Sequence, residues 1–216
     1  ILGTVFGFMI GLLAGIIRSI PVPEDGWKRI LLRAVNAILA VYIAIFRGTP
    51  MIVQAMVIYY GAAQAGFEMD RMAAGIMIVS INTGAYMAEI IRGGIISIDT
   101  GQFEAAQALG MNPVQTMAKV VLPQAIRNIL PAIGNEFVIN IKDTSVLNVI
   151  SISELYFQTS TVAGIHFSFF GPFFIACILY FIMTYAVTRI LRMVEKRLDG
   201  PKNYALTSRA RKGKGV

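Results

Sequence analysis

The chain has little charge and few of the residues that catalysis favours. Of its 216 residues, 14% are charged, against about 25% in an average soluble domain. That is too few to coat a water-soluble core of this size. There is one cysteine, Cys177, and one histidine, His166. A lone cysteine inside an apolar run excludes a disulfide framework and the paired spacing of zinc sites. With a single histidine, Ser-His and Cys-His arrangements lack their members, so no catalytic and no metal-ligating residue is assigned. No Gly-x-x-x-x-Gly-Lys-Ser/Thr loop occurs, so the chain is not expected to cradle nucleotide phosphates itself.

What is present is apolar length. Hydrophobic residues make up 56% of the chain, and a bilayer core of about 30 Å takes roughly 20 helical residues. Residues 1–17, closed by Arg18 and Pro21, read as a first span that opens without an initiator Met and is expected to be cut short. It lacks the basic lead and small-residue cleavage pair of a signal peptide. Residues 30–46, interrupted by Arg33 and Asn36, read as an amphipathic approach helix. Arg47-Gly48-Thr49-Pro50 breaks it, and 51–65 form the second span. Residues 72–91, 129–150 and 167–187 are the third to fifth. Gly7, Gly11 and Gly15 form a small-residue ladder on the first span, which favours close packing within the subunit or across a dimer.

The net charge of +7 would suit nucleic acid on a soluble protein. Here the basic residues sit at the ends of apolar runs, as orientation signals do, and no nucleic-acid partner is expected. The tail after the fifth span carries Arg189, Arg192, Lys196, Arg197 and five further basic residues against Glu195 and Asp199. The positive-inside rule makes it cytoplasmic. Counting back, the 18–33 and 92–128 connectors, both basic, are also cytoplasmic. The external connectors are 61–71 and 148–168, and the latter has no Lys or Arg at all. Residues 1–199 form one membrane domain. Residues 200–216 are a basic cytoplasmic tail whose composition predicts disorder.

The 97–127 loop is the most informative stretch. Asp99 or Thr100 can cap a helix, and Gln102 follows Asp99 at capping-box spacing. That helix runs through Glu104 and Ala105 to Leu109, and Gly110 supplies a left-handed stop. Asn112-Pro113 reads as an N-cap with Pro at the first helical position, opening a second helix to Val121, before Pro123. Ala105, Ala106 and Ala108 keep one surface flat. Two short helices turned about Gly110 make a knuckle suited to a cleft in a partner.

The spacing Glu104-Ala105-Ala106, three residues, Gly110, nine residues, Val120, one residue, Leu122-Pro123 resembles the EAA loop of ABC importer permeases. Arg47-Gly48-Thr49-Pro50 with Val53-Gln54, Asn82-Thr83-Gly84-Ala85-Tyr86 with Ala88-Glu89-Ile90, Asn135-Glu136-Phe137 and Lys142-Asp143-Thr144-Ser145 resemble the permeases of polar amino acid importers of the glutamine/histidine/arginine type. The resemblance covers about residues 40–160. It implies an all-α membrane protein of about five transmembrane helices with a cytoplasmic two-helix coupling loop, the type I importer fold. It also implies ATPase coupling through Glu104, Ala105, Ala106, Gly110, Leu122 and Pro123. The implied partners are a second permease subunit (identical or paralogous), two ATPase subunits that hold ATP and Mg, an extracytoplasmic solute-binding protein, and an amino acid cargo. The implied place is the inner or plasma membrane, crossed several times. The chain itself is not expected to be an enzyme or to bind a cofactor.

An α-amino acid in a low-dielectric interior needs partners for its ammonium and its carboxylate. Glu89, Tyr86, Asp143 and Thr144 are the cargo candidates: an acid for the cation, hydroxyls for hydrogen bonds. Glu89 precedes Arg92 by three residues and can equally form a helix-surface pair. Inter-helix ion pairing is therefore the competing reading for these acids. Arg47, Thr49, Pro50 and Lys142 are gate or path candidates. Pro50 frees a backbone carbonyl, which membranes tolerate only where it is buried in protein or wet. An ion-coupled secondary carrier would also explain intramembrane charge, but leaves the loop spacing without a role.

Overall fold

The computed structural model describes residues 1–23 and 26–198. The expected tail, 200–216, lies outside them. The described residues are helical apart from short connections. Nine α-helices follow in order: α1 (Leu2–Ser19), α2 (Trp27–Gly48), α3 (Met51–Gln64), α4 (Arg71–Ile96), α5 (Thr100–Ala108), α6 (Pro113–Thr116), α7 (Leu122–Asp143), α8 (Leu155–Ile165) and α9 (Phe170–Leu198). A π turn, Met117–Val121, joins α6 to α7, and a 3-10 helix, Thr144–Ile150, follows α7. Four helices among the described residues are long and apolar enough to cross a bilayer: α1, α2, α4 and α9.

The helix α4 is the axis of the bundle, with Ala74, Ile78, Ala85, Met87, Ala88 and Ile91 fully enclosed. On one side Gly3, Gly7, Gly11 and Gly15 of α1 meet Val79, Thr83, Met87 and Ile91 in turn. Both sets step by four residues, so they lie on one face of each helix, and the shared order makes α1 and α4 parallel neighbours. The approach leaves no room for a side chain: a Cβ on Gly7 would lie 2.6 Å from that of Thr83. Hydrocarbon offers apolar helices no hydrophobic incentive to associate, so van der Waals contact of this kind is what holds them. The opposite order holds on α7, where Ile129 meets Gly94 and Asn140 meets Thr83, so α7 opposes α4. In turn α9 opposes α7, with Leu191 lying on Gly134 and Tyr180 beside Thr144.

Because α1 and α4 run the same way, the chain between them must return. It does so in two pieces, α2 and α3, joined through extended backbone at Thr49 and Pro50. The sequence division into approach helix and span needs correction here. The piece with crossing length is α2, whereas α3 has 14 residues, about 21 Å of helix. Further boundaries move. The fourth apolar stretch is not one helix over 129–150, since α7 starts at Leu122 and gives way to 3-10 geometry at Thr144. Its Arg127, Glu136, Lys142 and Asp143 keep it outside the apolar set. Nor does the second loop helix stop before Pro123. Pro123 sits in the first turn of α7, where a missing N–H costs little, and the wider π turn before it carries the helix past the ring. Leu122 N–H reaches the Met117 carbonyl there.

Candidate functional site

The 97–127 loop folds as a knuckle. The Asp99 side chain accepts the Gly101 N–H at 2.7 Å and caps α5. Gln102 does not close a capping box with it and instead accepts from Gln124 on α7. At the other end of α5, Met111 N–H bonds the Ala106 carbonyl and Gly110 N–H that of Gln107. Gly110 has φ +74°. This is a Schellman stop, and its left-handed position favours glycine. The full capping box falls on α6: Gln115 N–H donates to Asn112 Oδ1, and Asn112 N–H to Gln115 Oε1. Glu104, Ala105, Gly110, Leu122 and Pro123 are exposed around this turn. Ala106 is turned inward, so the flat surface belongs to Ala105 and Ala108 without it. Leu109 and Val114 project on either side of Gly110, 81% and 76% exposed. Beneath, Ile98, Val121 and Ala125 form a small core that seats the knuckle on the ends of α4 and α7.

The break between α2 and α3 is held by amides. Pro50 cannot donate to the Phe46 carbonyl four residues back. Gln54 Nε2 does so instead at 3.0 Å, and bonds the Thr49 carbonyl and hydroxyl at 2.9 Å. Asn82 Nδ2 reaches both Phe46 O and Gln54 Oε1. The freed carbonyl is thus buried in protein and satisfied from two helices. The next residue of α4, Thr83, joins a second knot: Asn140 Nδ2 donates to Thr83 Oγ1 at 2.9 Å and to Thr4 Oγ1 at 3.2 Å, tying α7, α4 and α1 together.

The predicted cargo and gate residues separate into two groups. Towards the knuckle end, Glu89 faces three guanidinium groups. Arg18 is bonded to it, Arg92 lies 3.6 Å away and Arg47 4.0 Å away. The Arg47 guanidinium also lies 5.4 Å from the centre of the Tyr86 ring. Glu89 therefore clamps the ends of α1 and α2 to α4, and positive charge is in surplus around it. Away from the knuckle, Lys142 and Asp143 are exposed at the end of α7. Thr144 lies beside them and donates to the Ile141 carbonyl. Thr144 also lines a mainly apolar cavity of about 540 Å³ with Asn140, Glu154 and Tyr180. Thr49 and Pro50 sit at the break, between the two groups.

One acid did not enter the expected set. Glu136 on α7 is 7% exposed, and its carboxylate has no hydrogen bond or ion pair among the described residues. Arg47 and Asp143 are within electrostatic reach of it. It lies one turn before Asn140 on the same face of α7. Lys142 is six residues further on, which makes a pair along the helix poor. An acid in an otherwise apolar run is itself the signal that marks it.

The profile of the family described as binding-protein-dependent transport system inner membrane component matches residues 3–200. The glutamine transport system permease protein GlnP of Escherichia coli K12 is 38% identical over 200 residues, covering 92% of this chain and 87% of that protein. The arginine transport system permease protein ArtQ of Bacillus subtilis is 36% identical over 191 residues, covering 88% and 84%. Among solved structures, an amino acid ABC transporter with histidines superposes with a TM-score of 0.78 at 35% identity, over 91% of this chain and 87% of that one. The MetNI methionine ABC transporter shares the fold, with a TM-score of 0.72 at 22% identity over 92% and 90%.

Proposed function

This chain belongs to the family of binding-protein-dependent transport system inner membrane components, and on that premise we propose that it forms the path of an ABC importer for a polar amino acid. It is the multi-pass membrane component, and ATP hydrolysis belongs to partner subunits. The family resemblance supports delivery of cargo by an extracytoplasmic binding protein and pairing with a second permease, identical or paralogous. Relatives named for glutamine and for arginine support a polar amino acid as the class of cargo.

The reading adds a fifth crossing to the four long apolar helices. The parallel course of α1 and α4 supports one return through α2 and α3, and the opposed course of α7 supports another. Arg18, Arg189, Arg192, Lys196 and Arg197 gather at the knuckle end, and the positive-inside rule supports a cytoplasmic side for that end. Cargo meets Glu136 in this reading, with Asp143, Thr144 and Tyr86 around the path. Glu89 serves as a clamp, because its carboxylate is already shared by three arginines.

The observation that carries the coupling proposal is the Gly110 knuckle: a left-handed stop between two capped helices, seated on α4 and α7 and flanked by exposed Leu109 and Val114. Motion of a partner gripping this turn passes directly into α7. The test is ATPase activity of the purified assembly in lipid, with and without binding protein and candidate amino acids. A side chain at Gly110 is strained by about 1 kcal/mol and intrudes on the docking turn. Gly110→Asp is expected to lower cargo-stimulated hydrolysis about tenfold or more, a coupling loss of ~1.4 kcal/mol. Full stimulation in that variant, or a chain that purifies and transports with no ATPase, would overturn the proposal.

A further inference from the structure

On the side of α7 turned towards α9 lies a second, smaller and more polar hollow of about 210 Å³, lined by Asn135, Val138, Thr188, Leu191, Arg192 and Glu195. Its floor is Gly134, where the two helices come close: a Cβ there would lie 3.3 Å from the Leu191 side chain and 3.7 Å from a Glu195 carboxylate oxygen. Pro131 forms one wall and withholds the donor that the Arg127 carbonyl would otherwise receive. Arg192 and Glu195 are three residues apart on one helix and do not pair, and among the described residues neither has an ion-pair partner. The lining therefore combines the guanidinium of Arg192, the carboxylate of Glu195, the amide of Asn135 and the hydroxyl of Thr188, which donates to the Thr184 carbonyl and can still accept, with apolar Val138 and Leu191. It lies apart from the cavity beside Thr144 and Tyr180 and shares no lining residue with it.

We propose that this hollow binds a small zwitterion carrying a primary ammonium beside an anionic group, with Glu195 taking the ammonium and Arg192 the phosphate or carboxylate. Charge-assisted hydrogen bonds of both signs within one small pocket reject ligands that offer only one of them. A quaternary trimethylammonium is disfavoured as well, because it has no N–H to donate to Glu195. Two sources carry this chemistry: the headgroup of an aminophospholipid, whose chains can follow the apolar wall, and a free α-amino acid.

The assembled transporter in nanodiscs separates them. In discs mixing phosphatidylethanolamine with phosphatidylcholine, lipid retained after extraction is quantified by mass spectrometry. Phosphatidylethanolamine is expected to be enriched in the wild type. In Glu195→Gln and in Arg192→Gln its retention is expected to fall about tenfold, the size of one charge-assisted hydrogen bond. In phosphatidylcholine discs without binding protein, L-glutamine and L-arginine are titrated by calorimetry. Binding that is lost in Glu195→Gln but kept in Glu136→Gln identifies the amino acid source and separates this hollow from the cargo path. The exchanged pair Arg192→Glu with Glu195→Arg keeps net charge and serves if a single variant fails to fold. Equal retention in wild type and variants, with no amino acid binding that depends on Glu195, overturns the proposal. The readouts are independent of uptake, so they stand whether or not the importer reading does.

Discussion

Two contacts on α4, that of α1 and that of the α2–α3 pair, are built on opposite principles. Along α1 the contact is continuous, made by glycines that let one backbone rest on another, with every fourth residue engaged. Along α2 and α3 it is local. Of α2 only Ile43 is buried, and the helix leans on α4 through Leu39, Tyr42 and Phe46 near its end. The rest of that helix presents Trp27, Ile30, Leu31 and Ile38 to its surroundings. Where α1 is fixed by continuous shape, the broken pair rests on local apolar patches, with Ala55, Met51, Ile58 and Tyr59 of α3 set against α4, and adds a few polar bonds at Gln54, Asn82 and Glu89. Shape contact is lost only as a whole, whereas a few directional bonds can be exchanged one at a time. The same bundle thus pairs a helix held by unbroken shape contact with a broken pair held in part by exchangeable polar bonds.

Substitutions probe that contrast. The largest effect is expected from Gly11→Leu, which drives a side chain into Met87 and Ala88. Overpacking costs ~1–3 kcal/mol or more, and with α1 displaced the yield of folded, monodisperse protein should collapse. An unchanged melting temperature would show that α1 is no part of the frame. Gln54→Leu comes next. It removes the Nε2 donor that serves Phe46 and Thr49 and leaves Asn82 Nδ2 with the Phe46 carbonyl alone, at a cost of ~1–3 kcal/mol. Thermal midpoints of Gln54→Leu, Asn82→Leu and the double variant should show strong non-additivity. Additive losses would mean that the amides act separately and the break has no latch. Thr83→Val is expected to be mildest, about 0.6 kcal/mol, the usual worth of an inter-helix hydrogen bond in a membrane, since Asn140 keeps Thr4. A loss as large as that of Gln54→Leu would move the latch from the break to the α1–α4–α7 knot.

Local signals in the sequence reported local structure faithfully. Gly110 as a left-handed stop, Asn112-Pro113 as a helix start and Arg47-Gly48-Thr49-Pro50 as a break depend on backbone chemistry within a few residues, and they stand where they were placed. The glycine ladder announced close packing, but nothing in it named α4 as the neighbour. Glu89 shows the same limit: Arg92 was visible at three residues, whereas Arg18 and Arg47 arrive from elements 71 and 42 positions away. Proline misled at 123, where its meaning depends on whether a helix is starting or continuing, and the π turn made both true. Glu136 was passed over because spacing along one helix says nothing about what surrounds it. The apolar pattern divided α2 from α3 at the right place but gave the crossing to the shorter piece.

The π turn at Met117–Val121 sets a phase. A five-residue turn holds one residue more than an α-helical turn allows for, and each residue is worth about 100° of rotation. The knuckle and the inner face of α7 are therefore indexed to one another by a single extra residue. Removing it would leave the helix unbroken and the caps intact, yet swing Leu109 and Val114 about a quarter-turn around the axis that carries Glu136 and Asn140. Whatever grips the knuckle is thus set, by the width of one turn, to the side of α7 that faces the interior.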